Sequence, residues 1–201
     1  MQEIKTIIGY LATFLVFVGY IPYLTDIVKG KTKPHIYSWF LWAFVTLIAF
    51  ALQITGGAGS ASFVTLAAAL MCIAVIGFGF YFKSKVEIVF VDTVFFVLAF
   101  IALGLWILAK QPILSALLVT TVDVIGFVPT VRKSWNKPYT ETLSFYYLNT
   151  LRFALAVYSL QKYEIITALY PVCWLIINFL FAVMLVIRRK QIHTHTGCGR
   201  E

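Results

Sequence analysis

The sequence is short of charge. Only 12% of its 201 residues are Asp, Glu, Lys or Arg, while 61% are hydrophobic, and the mean hydropathy is +0.91. A water-soluble domain cannot carry so much apolar surface without precipitating. Cysteine is scarce: Cys72 and Cys173 lie in apolar runs and Cys198 near the C-terminus, which excludes a disulfide framework. The chain has no nucleotide-binding glycine loop, no Gly-x-Ser-x-Gly and no His-Glu-x-x-His. No nucleophile, base and orienting group stand together. A membrane enzyme or assembly factor is therefore disfavoured, no catalytic residue is assigned, and no cofactor or bound metal is expected. No run alternates apolar and polar residues as a barrel strand would. No small-residue cleavage site follows the first apolar run, Ile7 to Ile21, so that run is expected to remain in the mature protein.

What is present is a series of apolar runs. A hydrocarbon core of about 30 Å takes roughly 20 helical residues to cross, and seven stretches are long enough: 7–25, 35–55, 61–82, 87–109, 112–131, 141–160 and 164–188. Punctuation sets their ends, as at Gly56-Gly57-Ala58-Gly59, at Lys83 to Lys85 and at Gln111-Pro112. The expected fold is an all-α integral membrane protein of seven transmembrane helices, because backbone facing lipid must satisfy its own hydrogen bonds.

Lys and Arg are distributed unevenly between the two sides. The loops after spans one, three and five, with the tail, carry Lys29, Lys31, Lys33, Lys83, Lys85, Arg132, Lys133, Lys137, Arg188, Arg189, Lys190 and Arg200; the opposite side carries only Lys5, Lys110 and Lys162. The N-terminus is expected outside and the C-terminus in the cytoplasm, in a plasma or inner membrane. The net charge of +8 is accounted for by this bias. An anionic inner leaflet is the expected partner of these charges, rather than nucleic acid. A homo-oligomer is a further option.

A duplication runs through the chain. Gly19-Tyr20-Ile21-Pro22 and Gly126-Phe127-Val128-Pro129 stand 107 residues apart, each at the end of an apolar run. Each is followed by a basic loop with a second proline, Pro34 or Pro138, and then by Ser38-Trp39-Phe40 or Ser144-Phe145-Tyr146. Matched features at matched spacing indicate two related units: residues 1–83 as the first triple-helix repeat, 84–111 as a linker helix, 112–190 as the second repeat, and 191–201 as a cytoplasmic tail expected to be disordered. His193, His195 and Cys198 in that tail make only a weak metal pattern. Three helices repeated directly would emerge inverted; the linker helix restores a parallel orientation.

This 3+1+3 plan, with Pro motifs near the cytoplasmic ends of the first helix of each half, resembles the PQ-loop superfamily and, within it, the SWEET-type sugar transporters and their half-size bacterial relatives. The chain has Pro22-Tyr23 and Pro129-Thr130 where that family has Pro-Gln, and Pro171-Val172 where the seventh SWEET helix has Pro-Asn. The resemblance implies two triple-helix bundles flanking a central substrate route, with the prolines helping each bundle to bend.

The residues themselves also point to moving elements. A proline inside a helix removes a backbone donor and crowds the carbonyl four residues earlier, here those of Val18 and Ile125; Gly19 and Gly126 beside them lower local stiffness. Gly19, Pro22, Gly126 and Pro129 are thus candidate hinges, the alternative being that each proline merely ends its helix.

A second set of residues is polar and deep. Asp123 is eight residues before Val131, and Arg152 nine after Leu143, which puts them about 12 and 13.5 Å below the cytoplasmic ends of spans five and six. Each alone costs roughly 2.5 to 3.5 kcal/mol to insert. Two readings follow: an ion pair locking two adjacent antiparallel helices, or a lining for an aqueous route. Asn149 and Asn178 lie at similar depth. The repeat offset places Val16 opposite Asp123 and Ala43 and Thr46 opposite Asn149 and Arg152, so the first half lacks this set and offers aromatic surface instead, with Trp42 the best placed ring. Asp92 is expected at an interface or beside a lysine. The substrate route is therefore assigned to Asp123, Asn149, Arg152, Asn178 and Trp42. The leading expectation is a transporter or facilitator for a small polar solute, whether sugar, amino acid or a related compound. The alternative is a seven-helix receptor that binds without transport, as the KDEL receptor does on a similar plan.

Overall fold

The computed structural model describes residues 2–30, 34, 36–82, 90–141 and 143–197. Lys31, Lys33, His35, Lys83, Lys85, Cys198 and Arg200 lie outside the described residues, as do the side chains of Asp92, Pro129, Lys133, His193 and His195.

Among the described residues there are seven α-helices and no strand. They are α1 (Gln2–Val28), α2 (Ile36–Thr55), α3 (Ser62–Tyr81), α4 (Phe90–Ile107), α5 (Pro112–Asn136), α6 (Leu143–Ser159) and α7 (Ile165–Gly197), with short 3₁₀ turns at Gly59–Ala61 and Pro138–Thr140. Four segments are long and apolar enough to cross a membrane: Gln2–Val28, Gly59–Tyr81, Pro112–Asn136 and Ile165–Ile192. The apolar parts of α2 and α4 are shorter, Trp39–Thr55 and Val97–Ile107. Helix α6 has 17 residues and carries Asn149 and Arg152 in its interior.

Several helices run past the ends of the expected spans. Neither duplicated proline ends its helix: α1 continues past Pro22 to Val28, and α5 past position 129 to Asn136. A helix continues across a proline when only one backbone bond is lost and neighbouring helices hold the rest. Helix α7 likewise extends to Gly197, past the expected span end at 188. The sequence after Arg188 loses its apolar character but contains no breaker before Gly197, so the backbone hydrogen bonding propagates beyond the apolar span.

Helices adjacent in sequence are not always adjacent in space. Helix α3 packs against both α1 and α2, and α7 packs against both α5 and α6. Helix α1 also lies along α6 and α2 along α5, while α4 sits against α5 and α2; α1–α3 and α5–α7 are called the two trios for brevity. One apolar core joins α2, α4, α5 and α7 through Val45, Leu52, Ala99, Ala102, Val119 and Tyr170; another joins α1, α3 and α6 through Ala12, Val16, Val64, Val75 and Ala156.

One end of the assembly is closed by backbone contact. The turn after α2 lies on the α6–α7 connection: Gln161 N donates to the Ala58 carbonyl at 3.2 Å, and Lys5 Nζ donates to the Leu160 carbonyl at 2.8 Å. Glycine is favoured at Gly59, where φ is +68° and a Cβ would displace the Gln161 side chain. At the other end Arg188 Nε donates to the Trp135 carbonyl at 2.9 Å, and Arg189 donates to the carbonyls of Pro138 and Glu141, fastening α7 to the α5–α6 connection.

Candidate functional site

The deep polar residues occupy the junction of the two trios, but in an arrangement different from the expected one. Asp123 on α5 is 4% exposed. Its Oδ2 accepts hydrogen bonds from Tyr170 Oη and from Trp174 Nε1, both at 2.9 Å and both from α7. Tyr170 Oη also lies 3.5 Å from Thr46 Oγ1 on α2, which brings the first trio into the same network. Asn178 Nδ2 donates to the Trp174 carbonyl at 2.7 Å and so braces the helix that carries both donors.

Arg152 is not Asp123's partner. Because α7 lies between α5 and α6, the two helices are not the packed antiparallel neighbours that equal depth suggested, and the expected ion pair is not made. The guanidinium, on a residue 6% exposed, lies over the Phe153 ring at 4.6 Å, and its Nε and Nη1 are buried with no hydrogen-bond partner among the described residues. A buried donor without an acceptor is rare in a folded protein. Asn149, one turn earlier on α6, is buried on the same helix.

A continuous set of ring contacts surrounds this polar centre. Tyr20, from the first copy of the duplicated motif, meets Trp39 edge-on at 6.2 Å and Phe145 at 6.0 Å. Phe127, its counterpart, meets Tyr146 at 6.2 Å, Trp174 at 5.6 Å and Phe181 at 5.0 Å. Phe145 and Tyr146 touch at 5.4 Å and complete the connection. Trp42 is half-buried and stands edge-on to Trp39 at 5.1 Å. Tyr20 Oη also lies 3.9 Å from Cys72 Sγ on α3.

At the candidate hinges, Gly19 is buried, yet a Cβ built on it would meet nothing within 4 Å. Free space thus adjoins α1 next to Tyr20 and within the interior. Pro22 lies inside α1, and Gly126 is half-buried in α5.

Thr46, Tyr170 and Trp174 were not anticipated as parts of the site. A signal for two of them is present in the sequence: Tyr170, Trp174 and Asn178 recur at intervals of four, which places three polar-tipped side chains on one face of an otherwise apolar helix. Among the described residues, no group of three or more His, Cys, Asp or Glu side chains is placed to hold a metal ion.

Comparison with protein-family models, with curated proteins and with solved structures found no match to this chain.

Proposed function

We propose that the chain is a multi-pass membrane transporter or facilitator for a small polar solute, working by alternating access between two three-helix bundles of a 3+1+3 plan related to the PQ-loop and SWEET-type proteins. The observation that carries this reading is the buried network Thr46–Tyr170–Asp123–Trp174, drawn from α2, α5 and α7 at the junction of the two trios. Polar groups are costly within an apolar bundle and are retained where they line a route or bind a cargo.

The duplicated plan has support from packing. In each trio the third helix lies between the first and second. In each unit the motif aromatic of the first helix meets a ring on the second, Tyr20 with Trp39 and Phe127 with Tyr146, both at a centroid separation of 6.2 Å. In this reading the end fastened by Arg188 and Arg189 faces the cytoplasm, and the end closed by the Ala58–Gln161 contact faces outside. Movement about Gly19, Pro22 and Gly126 opens one end as the other closes.

The test is flux. Purified protein in liposomes is loaded with a panel of labelled sugars, amino acids and organic acids, and uptake and counterflow are compared with those of protein-free liposomes. Saturable counterflow of at least one solute, reduced in Asp123→Asn, is expected. Saturable binding with no flux for any solute would replace the transporter by the receptor reading.

A further inference from the structure

The unpartnered guanidinium of Arg152 narrows the chemistry of the solute. Its Nε and Nη1 are enclosed and make no hydrogen bond among the described residues, and the Phe153 ring at 4.6 Å offers only a π face. The neighbouring polar groups are already engaged or lack charge: Tyr170 donates to Asp123, and Tyr20 Oη faces Cys72 Sγ. Asp123 is committed through Oδ2 to two neutral donors. A water molecule or a sugar hydroxyl could accept a hydrogen bond from Arg152 but would leave its charge uncompensated in a buried place. An anion satisfies both needs, and a carboxylate matches the planar donor fork of a guanidinium.

We infer that Arg152 is the docking point for the carboxylate of a small monoanionic solute. The inference rests on the transport reading and specifies its cargo. One negative charge balances one arginine. A dianion such as phosphate would leave a second buried charge without a cationic partner among the described residues of the junction. The rings of Tyr20, Trp39 and Phe145 offer apolar surface for the rest of the solute.

Thermal unfolding of the purified full-length protein in nanodiscs tests this. Acetate, lactate and benzoate are each compared with their primary amides and with chloride and inorganic phosphate. Saturable stabilisation by at least one acid, absent with its amide, is expected. Its apparent affinity should fall about 30-fold or more in Arg152→Gln, as truncation of a buried charge partner requires, and fall less in Arg152→Lys, which keeps the charge and also serves if the Gln variant fails to fold. Equal stabilisation by acid and amide, equal stabilisation by phosphate or chloride, no stabilisation by any acid, or an unchanged affinity in both variants overturns the inference. Counterflow separates it from the reading beneath it. Flux of a neutral solute with no acid binding overturns the carboxylate site and leaves the transporter; Arg152-dependent binding of an acid with no counterflow leaves the site and overturns the transporter.

Discussion

The two helix trios share a packing plan and differ in content. In both, the third helix separates the first two, and the motif aromatic, Tyr20 or Phe127, meets a ring on the second helix. At the position where α5 carries Asp123, however, α1 carries Val16, fully packed in an apolar core. Where α6 carries Arg152, α2 carries Thr46. Packing depends on shape and apolar spacing, which tolerate exchange of one small side chain for another of similar volume. Binding chemistry depends on single polar atoms, and these are concentrated in the second trio. The first trio contributes a hydroxyl, rings and space.

Making the two halves alike at that position should have the largest effect. Asp123→Val removes the acceptor of Tyr170 Oη and Trp174 Nε1 and leaves two buried donors. At about 1 to 3 kcal/mol for each stranded donor, a loss of about 2 to 6 kcal/mol is expected in denaturant unfolding in micelles. Adding Tyr170→Phe should recover part of it, because one stranded donor disappears with its hydroxyl. A double variant no more stable than Asp123→Val would mean that the network is not the source of the loss.

Next in size is the contact that joins the halves at the closed end. Gly59→Val places a β-branched side chain at φ +68° and against Gln161. The strained backbone costs about 1 to 2 kcal/mol and overpacking adds about 1 to 3 kcal/mol. The expected loss of about 2 to 5 kcal/mol is read in the same unfolding assay. Gly77→Ala, which meets nothing within 4 Å, is the control and should be neutral or slightly stabilising.

The difference between frame and chemistry also governs how much the sequence disclosed. Expected spans beginning at 35, 61, 112 and 164 became helices beginning at Ile36, Ser62, Pro112 and Ile165, because apolar length and glycine or proline punctuation are local properties. The burial of Asp123, Asn149, Arg152 and Asn178 was legible for the same reason: an ionic or amide side chain far from either end of an apolar helix has few other places to go. Which of them touch was not legible. Depth along the chain gives one coordinate, and the neighbour order α5–α7–α6 supplies the other; that order is set by long-range packing that no single run encodes. Trp42, chosen for depth alone, packs on Trp39, whereas Trp174, passed over, holds Asp123.

Arg152 breaks the comparison from the other side, since removing it should strengthen the fold while destroying the site. Arg152→Met retains apolar bulk and removes a buried charge with two unpartnered donors. The loss of the Phe153 contact opposes this gain, but relief of desolvation outweighs it, and an increase of about 1 to 3 kcal/mol in ligand-free unfolding stability is expected. Counterflow should fall below detection. A decrease in stability would instead show that Arg152 locks helices together, which its missing partners argue against.

The smallest expected effect on stability distinguishes a hinge from a plain helix. Gly19 is buried beside open space, so the Cβ of Gly19→Ala meets nothing, and the replacement of glycine by alanine in a helix interior should stabilise α1 by about 0.5 to 1 kcal/mol. If α1 were a static strut, a slightly stiffer version would function at least as well. If Gly19 and Pro22 together permit bending, the same substitution removes part of the flexibility that proline alone cannot supply, and turnover should fall several-fold while solute affinity is unchanged. Counterflow rate and ligand-induced stabilisation, measured on the same preparation, separate these outcomes. Pro22→Ala, which restores the backbone donor in a helix already continuous to Val28, should act in the same direction, and a variant with faster turnover in either case would remove the hinge from the first trio altogether.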